Sequence, residues 1–337
     1  MGVKLGDITP KRQLSWDDLK GKTLAVDSSN MLYQFLSSIR QQDGTPLSDS
    51  KGNVTSHLVG LFSRVPNLME KGIKMAFVFD GKPPALKFQE QGARKERKEE
   101  AAIKYREAAE EEDVESMLKY SKQTAKLTKH MNEEAKELLQ AMGLPVVQAP
   151  SEADAQMAYM NREGDAWACA TTDYDPLLHR APRLLRNLTL SQKKKMPGGG
   201  HAPVHPELIE LKELLSTLGL DSDQLLVLAI LVGTDYNPGG IKGIGPAKAL
   251  KLVQSGKKFE EIFRDLGADF NWKKIADTFK NMPVEKKYKL EFREADDDRV
   301  KKLLLKHDFS EERVDSTLKR LGSIGTDREQ KDLKKWL

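Results

Sequence analysis

The chain has 337 residues, 39% of them hydrophobic, which is enough for one large folded domain or two small ones. Charged residues make up 31%, but the net charge is only +4, so charge alone does not indicate nucleic-acid binding. The single cysteine, Cys169, excludes an internal disulfide framework and zinc sites built on several thiolates. No segment approaches the ~20 apolar residues of a membrane span, and no apolar signal region is found, so we expect a soluble, intracellular protein.

Short apolar runs alternate with helical stretches in the first half of the chain. The runs at 23–26, 75–79, 145–147 and 167–170 are predicted to be buried strands. Strands that alternate with helices are typical of a mainly parallel sheet covered by helices on both faces. We therefore expect an α/β fold.

The segment from about 87 to 137 has a different composition, with dense charge of both signs, no proline and many good helix formers. We predict two helices there, with a break near Glu112 and Asp113, inserted between strands and standing off the sheet. Arg94, Lys95, Arg97 and Lys98 form one basic cluster. Four further lysines, spaced by 3, 4 and 3 residues, are predicted to share one helical face: Lys119, Lys122, Lys126 and Lys129. These lysines form either a solvated surface or a phosphate-tracking stripe.

Acidic residues directly follow three of the predicted strands. Asp27 follows the first, Asp80 the second, and Asp173 and Asp175 the fourth. In an open parallel sheet, ligands bind beyond the carboxyl ends of the strands. Four carboxylates are therefore expected at one rim of the sheet.

Three more acids extend this set to seven. Glu152 and Asp154 open a helix after the strand around Val147, and Asp235 follows an apolar helix at 225–232. Seven neighbouring carboxylates need compensating charge, and all-oxygen ligation suits Mg²⁺ or Mn²⁺. Two such ions ~4 Å apart form a phosphodiester-cleaving device, in which the ions help to generate hydroxide and stabilise charge on the phosphate and the leaving oxygen. The acids alone thus indicate a divalent-metal phosphohydrolase.

Each acid also has a purely structural interpretation. An Asp at a strand end is often a turn residue or a helix cap. Ser151 to Asp154 fits a capping box, with Ser151 as N-cap and Asp154 at the third helical position. Four acids at the ends of three strands are harder to explain in this way than one.

The second half of the chain contains two glycine-rich segments. Residues 192–206 are predicted to form a mobile surface loop, with helices resuming at Pro206. Residues 240–248 form a glycine-dense turn that enters a helix, where backbone N–H groups and lysines can bind a DNA backbone. The residues expected to do so are Lys242, Gly243, Gly245 and Lys248. The pattern is typical of a helix–hairpin–helix element, and an ordinary helix–helix turn is the alternative.

Together these motifs resemble those of the flap endonuclease family in its archaeal form, nearly from end to end. The resemblance is carried by Ala25-Val26-Asp27, Tyr33-Gln34-Phe35, Asp43-Gly44-Thr45-Pro46-Leu47, Thr55-Ser56-His57-Leu58, Val78-Phe79-Asp80-Gly81-Lys82-Pro83-Pro84, Ala149-Pro150-Ser151-Glu152, Asp173-Tyr174-Asp175, Val232-Gly233-Thr234-Asp235-Tyr236 and Gly243-Ile244-Gly245.

The resemblance implies a PIN-like α/β nuclease with a helical arch at about 87–137 and a helix–hairpin–helix (H2TH-type) element. It implies two Mg²⁺ ions, replaceable by Mn²⁺, held by Asp27, Asp80, Glu152, Asp154, Asp173, Asp175 and Asp235. Lys87 and Arg94 would steer the scissile phosphate, Tyr33 would stack on a base, and Gly2 would lie near the site. The glycine turn would grip duplex DNA, with K⁺ bound there.

The implied activity is cleavage of 5′ flap DNA at the junction of single and double strands, with 5′–3′ exonuclease activity, in Okazaki fragment maturation and DNA repair. Arg40, Thr55 and Phe309 match positions around a pocket for a one-nucleotide 3′ flap. The family also implies a monomer in the cytoplasm of an archaeal cell.

We expect one nuclease domain at 1–325, followed by a tail at 326–337. The domain would comprise an N-terminal part at 1–98, the arch, an internal part at 138–258 and a helical part at 259–325. The tail resembles a sliding-clamp-binding peptide through Gln330, Leu333, Trp336 and Leu337.

Three departures from the family pattern are visible. Asp154 stands where Glu is usual, His179-Arg180 stands where Phe-Gly is usual, and Leu337 stands where an aromatic residue is usual. No carboxylate is lost, so we predict activity. Three alternatives are an exonuclease or a bubble or Holliday-junction nuclease of the same superfamily, a non-catalytic junction binder that recruits the clamp, and a PIN-type ribonuclease.

Overall fold

A computed structural model of the chain describes residues 3–110, 113–188, 193–195 and 201–333. Within these ranges the strands are β1 (Arg12–Gln13), β2 (Thr23–Asp27), β3 (Lys74–Phe79), β4 (Val146–Gln148), β5 (Ala168–Ala170), β6 (Arg183–Arg186), β7 (Lys193–Lys195), β8 (His201–Pro203) and β9 (Glu207–Glu210).

Seven of the strands form one mixed sheet in the order β1-β9-β6-β5-β2-β3-β4. The five strands from β6 to β4 are parallel to their neighbours, whereas β9 pairs antiparallel with both β6 and β1 at one edge. The predicted mainly parallel sheet is confirmed. Strands β7 and β8 form a separate antiparallel hairpin.

The four predicted strands are found as β2, β3, β4 and β5, within one or two residues. In β2, Leu24, Ala25 and Val26 are at most 1% exposed, as expected for a strand covered on both faces. Strands β6 and β9 were not predicted. Each has only two apolar residues between charged ones, and a run of this length is too short to show a periodic pattern.

The helices cover both faces of the sheet. They are α1 (Ser28–Ser38), α2 (Ser56–Glu70), α3 (Phe88–Glu110), α4 (Val114–Ser121), α5 (Lys129–Ala141), α6 (Ala153–Arg162), α7 (Asp175–Leu178), α8 (Leu211–Leu218), α9 (Ser222–Val232), α10 (Pro246–Val253), α11 (Phe259–Asp265), α12 (Trp272–Lys280), α13 (Asp297–Leu305) and α14 (Glu311–Leu333). Helices α6 to α12 contribute to the hydrophobic core on one face, and α1, α2, α5, α13 and α14 to the core on the other.

The predicted break in the charged insertion is confirmed, since α3 ends at Glu110 and α4 begins at Val114. The prediction that four lysines share one helical face is wrong. Lys119 lies in α4, Lys122 in a 3₁₀ turn, Lys126 in the non-helical residues that follow, and Lys129 at the start of α5. The Thr128 side chain caps α5 by accepting a hydrogen bond from Met131 N at 3.2 Å, which separates α5 from the preceding turn.

Two expectations for residues 192–210 are also corrected. Residues 193–195 and 201–203 pair as β7 and β8 instead of forming only a loop. Helices resume at Leu211 rather than at Pro206, because Leu208 and Ile209 pair with β6 and bury their side chains as part of β9.

Within the described ranges, no single helix has the length and apolar character needed to cross a membrane. Helices α8 and α9, which are bent by 79° relative to each other, reach the length and apolar composition of a membrane span only when the two helices are combined. Residues Leu225 to Leu231 of α9 are all buried in the protein core.

Candidate active site

Four adjacent strands deliver acidic side chains to the same edge of the sheet. Asp27 ends β2, Asp80 follows β3, Glu152 and Asp154 follow β4, and Asp173 and Asp175 follow β5. Because these strands are neighbours in the order β5-β2-β3-β4 and run parallel, their carboxyl ends lie side by side. Asp235, three residues after α9, completes the carboxylate cluster.

Backbone and hydroxyl groups hold several of these acids in place. Asp27 accepts hydrogen bonds from Asn30 N and Thr171 Oγ1, both at 2.9 Å, so it also caps α1. Asp80 accepts one from Ala153 N at 2.8 Å, at the start of α6. The structural and the functional interpretations of a strand-end Asp are therefore compatible.

A glycine next to Asp80 permits a close approach of two loops. Gly81 N donates to Ser151 O at 2.6 Å, and a Cβ at this position would lie 2.2 Å from Ala149 O. Only glycine fits there without displacing the loop that carries Glu152.

The proposed capping box at Ser151 is wrong. The N-cap of α6 is Glu152, and its side chain makes no capping hydrogen bond. Ser151 Oγ donates instead to Lys82 O at 3.0 Å, which ties the β4–α6 loop to the β3 loop. The carboxylates of Glu152 and Asp154 are thus not used to cap this helix.

Mutual repulsion and burial disturb the ionisation of three acids. Burial, together with the charge of Asp80, raises the pKa of Asp27 to about 7. Burial and the charges of Asp235 and Asp173 raise the pKa of Asp175 to about 7. Burial and the charges of Asp27 and Asp175 raise the pKa of Asp154 well above its usual range. The cluster holds more negative charge than its surroundings compensate.

Two cations at the start of the charged insertion offset part of this charge. Lys87 Nζ lies 2.6 Å from Glu152 Oε1 and 3.2 Å from Asp235 Oδ2, and Arg94 NH2 lies 2.6 Å from the same Asp235 oxygen. Burial acts to lower the pKa of Lys87, but the two carboxylates outweigh it and the pKa is raised. Lys87 is therefore a partly buried, charged ammonium group that pairs with Glu152 and Asp235.

Two residues around these cations were not predicted from the sequence. Tyr236 donates its hydroxyl hydrogen to Glu152 Oε2 at 2.7 Å. Glu90, 4% exposed, accepts from Arg94 Nε and Arg97 NH2 at 2.9 Å each. Glu90 and Arg94 are four residues apart on one helix, and this spacing is the sequence feature that could have identified Glu90.

The side chains fit a hard divalent cation by their chemistry. In the ranges that the structure describes, no group of three or more His, Cys, Asp or Glu side chains is arranged to hold a metal ion as it stands. Lys87 and Arg94 supply the compensating charge in this arrangement. The all-oxygen donor set nevertheless suits Mg²⁺ or Mn²⁺, and Asp154 Oδ1 is buried without a hydrogen-bond partner among the described residues.

The structure describes several of the other residues predicted to contact DNA. Tyr33 on α1 is 39% exposed, and Lys98 Nζ from α3 lies 4.9 Å from its ring centroid. Lys119, Lys126 and Lys129 are exposed, whereas the side chain of Lys122 is outside the described part of the chain. Gly2 and, in the tail, Trp336 and Leu337 lie outside the described residues.

The glycine turn connects α9 to α10. Gly243 has a φ of 79°, in the left-handed region that glycine adopts without strain, and Gly245 is the N-cap of α10. Ile244 between them is buried, so it anchors the turn in the core. Lys242 and Lys248 are both exposed. The first N–H groups of α10 have no side-chain cap, which leaves the helix start open to an anion.

A cleft of about 740 Å³ between the α2 start and the α13–α14 connection contains Thr55 and Phe309. Arg40 is not part of its lining. Its NH1 donates to Gly44 O at 2.9 Å, and its backbone bridges to Pro46 in the loop that precedes the cleft.

The His179-Arg180 departure follows α7 directly. Arg180 has a φ of 62°, so it keeps the left-handed conformation that suits the glycine usual at this position, at a cost of about 1–2 kcal/mol. His179 is 7% exposed, and its Nδ1 lies 3.0 Å from Phe279 O. The His179 ring packs on Phe279, whose ring in turn contacts Tyr236, the partner of Glu152.

His179 is expected to make the protein sensitive to acid. Burial lowers its pKa from the ordinary 6.5 to about 4, so the unfolded state binds a proton more readily than the folded state. Stability is therefore fully present above about pH 6.5 and falls by roughly 3 kcal/mol as the pH drops to 4. The His179→Phe variant should lose this component. Urea titrations at pH 4.5 and pH 7.5 measure it; an equal pH dependence in both proteins would contradict it.

Comparisons with known proteins agree with this geometry. The chain matches the XPG N-terminal domain over residues 1–101 and the XPG I-region over residues 143–235. It is 49% identical over 338 residues to Flap endonuclease 1 of Pyrococcus abyssi, covering 100% of this chain and 98% of that protein. It is 50% identical over 331 residues to Flap endonuclease 1 of Aeropyrum pernix, covering 96% and 95%.

Solved structures give the same result. Flap endonuclease-1 from Methanococcus jannaschii superposes with a TM-score of 0.78 at 42% identity, covering 97% of this chain and 100% of that one. The catalytic core of Rad2, at 24% identity and a TM-score of 0.68, shares the fold over 95% of this chain and 100% of that one.

The sheet, the carboxylate cluster and these matches define a metal-dependent nuclease of the XPG type. Within that class, the chain belongs to the flap endonuclease family and is a structure-specific 5′ flap nuclease.

Proposed function

We propose that the chain cuts 5′-flap DNA where the flap leaves the duplex, with two Mg²⁺ ions, for which Mn²⁺ can substitute. The convergence of six carboxylates on four adjacent strand ends, with Asp235 after α9 as a seventh, next to Lys87 and Arg94, is the observation that carries this proposal. Divalent ions bound there would lower the pKa of the attacking water and offset charge on the scissile phosphate. The proposed roles are Okazaki fragment maturation and DNA repair, with an additional 5′–3′ exonuclease activity.

Lys87 and Arg94 are proposed to bind the scissile phosphate. In the free protein, Lys87 and Arg94 pair with Glu152 and Asp235. Divalent ions held by these carboxylates would supply the compensating charge, and Lys87 and Arg94 would then be able to bind the scissile phosphate. Tyr33, exposed on α1, would stack on the base next to that phosphate, and the N-terminal Gly2 would lie near it.

Duplex DNA would be held at a distance from the cut. The open N-terminus of α10 and the exposed Lys242 and Lys248 suit the phosphates of a duplex backbone. The turn at Gly243 and Gly245 is the proposed K⁺ site. The segment at 87–137 would form the arch through which the flap passes, with Lys119, Lys122, Lys126 and Lys129 at its surface. Arg40, Thr55 and Phe309 would surround a one-nucleotide 3′ flap.

A substrate panel tests the proposed specificity. We expect rapid cleavage of the 5′ flap with Mg²⁺, and at least about tenfold slower cleavage of a bubble, a Holliday junction, single-stranded DNA and RNA. Faster cleavage of a bubble or a four-way junction would favour another nuclease of the superfamily. Tight binding of every branched DNA without cleavage would favour the non-catalytic junction binder.

The tail at 326–337 is proposed to bind a sliding clamp, and the rest of the chain to form one nuclease domain. Helix α14 extends to Leu333, so residues 326–333 continue that helix in the free protein. Gln330 and Leu333 would be joined by Trp336 and Leu337 in the clamp contact. The protein is proposed to act as a monomer in the cytoplasm of an archaeal cell.

Deletion of residues 326–337 tests the tail assignment. Without a clamp, the shortened protein should cleave a 5′ flap as fast as the full chain. When the clamp is added, only the full chain should be stimulated, because the contact with the clamp has been removed from the shortened protein. Size-exclusion chromatography of the clamp with each protein provides the binding measurement. Co-elution of the shortened protein with the clamp would contradict the assignment.

A further inference from the structure

An arginine on β6 contacts the loop that carries two of the clustered acids. Arg186 is the last residue of β6 and lies beside the carboxyl end of β5. Its Nε donates a hydrogen bond to Thr172 O at 3.1 Å, and its NH1 donates one to Tyr174 Oη at 2.8 Å. In the sequence these two acceptors flank Asp173, and Tyr174 directly precedes Asp175. One side chain therefore contacts the loop on both sides of Asp173.

The contact between Arg186 and Tyr174 also involves the tyrosine ring. The guanidinium carbon of Arg186 lies over this ring, 4.6 Å from its centroid. Tyr174 is only 6% exposed and belongs to the hydrophobic core on one face of the sheet. On the neighbouring strand β9, Glu207 Oε2 lies 3.9 Å from Arg186 NH1. Because a guanidinium group is planar and its N–H directions are fixed, these contacts restrict where Thr172 and Tyr174 can lie relative to β6.

The same loop is tied to α1 on its other side. Asn30 Nδ2 donates a hydrogen bond to Thr172 Oγ1 at 2.7 Å. Asn30 N donates to Asp27, the N-cap of α1, at 2.9 Å. The separation of Asp173 from Asp27 therefore depends on contacts from both sides of the loop, with Arg186 supplying those from β6.

We propose that Arg186 is a positioning residue that holds Asp173 and Asp175 in the arrangement that binds a divalent cation. The inference rests on the proposed function, which assigns both carboxylates to the metal site. Arg186 acts through a backbone carbonyl and the Tyr174 hydroxyl, so it orients the acids without binding the cation itself. Neighbouring carboxylates repel one another, and a loop released from β6 would let these two acids move apart. Loss of a group that orients metal ligands typically lowers metal affinity by about 10- to 100-fold.

Arg186→Met tests the role of Arg186 through the binding of Mn²⁺ to the full chain without DNA, followed by the EPR signal of the free ion. We expect the affinity for Mn²⁺ to fall at least about tenfold. Cleavage of a 5′ flap should need a correspondingly higher Mg²⁺ concentration, while KM for the DNA at saturating Mg²⁺ stays unchanged. Arg183→Met is the matched control. Arg183 lies at the other end of β6 and pairs with Glu210 at 3.3 Å, so its loss should leave Mn²⁺ affinity unchanged.

Two further variants separate hydrogen-bond geometry from charge. Tyr174→Phe keeps the ring under the guanidinium group but removes the acceptor at 2.8 Å, and Mn²⁺ affinity should fall about threefold. In the Arg186→Met background the same change should have no further effect, since the partner of the hydroxyl is already gone. Arg186→Lys keeps the charge without the paired donors, so its affinity should stay at least about fivefold reduced. Full affinity in Arg186→Lys, or additive losses in the double variant, would overturn the inference.

Failure of this inference is distinguishable from failure of the proposed function. If the unsubstituted protein binds no Mn²⁺, the proposed metal site is wrong and the role of Arg186 falls with it. If the unsubstituted protein and Arg186→Met bind Mn²⁺ equally, only the role of Arg186 is overturned, even where the variant has a lower free energy of unfolding. If Arg186→Met does not fold, Tyr174→Phe and Arg186→Lys decide: weaker binding in both supports the inference, and unchanged binding in either overturns it.

Discussion

Replacing Asp80 with Ala is expected to lower kcat on a 5′-flap DNA by at least about a thousandfold and to leave DNA affinity nearly unchanged. Asp80 is exposed at the end of β3, beside Asp27 and the start of α6. Removal of its carboxylate would take away one of the oxygens proposed to bind a divalent ion. The duplex contacts proposed for α10 and the glycine turn are on a different part of the chain, so binding should persist. Single-turnover cleavage and fluorescence anisotropy measure the two quantities.

Two comparisons make this prediction specific. Glu213→Ala, at an exposed acid on α8, should cut as fast as the unsubstituted protein. Asp173→Ala should reproduce the loss seen with Asp80→Ala, because Asp173 acts on the same neighbour, Asp27. Robust cleavage by both the Asp80 and the Asp173 variants would show that the cluster is not the catalytic centre.

Replacing Lys87 with Met is expected to lower kcat by about a hundredfold to a thousandfold with little change in KM. Lys87 is held among carboxylates at 2.6 and 3.2 Å, and methionine keeps most of its apolar stem without the charge. In the metal-free protein the same change leaves Glu152 without its ion pair, so the free energy of unfolding should fall by about 3 kcal/mol. Saturating Mg²⁺ should reduce this difference in stability.

Lys82→Met is the matched control, since Lys82 is an exposed lysine only five residues away. It should change neither kcat nor stability appreciably. If Lys87→Met kept its kcat while losing stability, Lys87 would be only a structural counter-charge. If kcat fell equally in both variants, the loss would reflect the general positive charge of this segment.

The acidic rim could be predicted because it depends on two local properties of the sequence. Each strand is a short apolar run, and each acid directly follows one. Parallel strands bring their carboxyl ends to one edge whatever the details of the loops between them. The sequence therefore predicts that four acids lie together, namely Asp27, Asp80, Asp173 and Asp175. The strand around Val147 adds Glu152 and Asp154 to this set.

Other features depend on contacts between distant segments. Tyr236 contacts Glu152 across 84 residues, and His307 contacts Asp49 across 258 residues. No periodicity in the sequence records such pairs. The lysine spacing at 119–129 failed for a different reason, because helical spacing predicts a shared face only if one helix continues through it. A 3₁₀ turn and the cap at Thr128 interrupt that helix.

The departures at His179 and Arg180 are accommodated by local conformation and packing. Arg180 adopts the backbone conformation that glycine would have, and His179 keeps an aromatic contact with Phe279. Both departures are expected to lower the free energy of unfolding, because Arg180 adopts a left-handed backbone conformation and His179 is buried in its neutral form. The His179 ring is linked to Glu152 through Phe279 and Tyr236, and its backbone N donates to Asp175 O at 3.2 Å.

The most direct test is cleavage of an end-labelled double-flap DNA, with a 5′ flap and a one-nucleotide 3′ flap, in Mg²⁺ and in EDTA. We expect a cut at the flap junction with Mg²⁺, no cut with EDTA, and little cleavage of a matched single strand or an intact duplex. Cleavage that persists in EDTA, or tight binding in Mg²⁺ without any cut, would contradict catalysis by the carboxylate cluster.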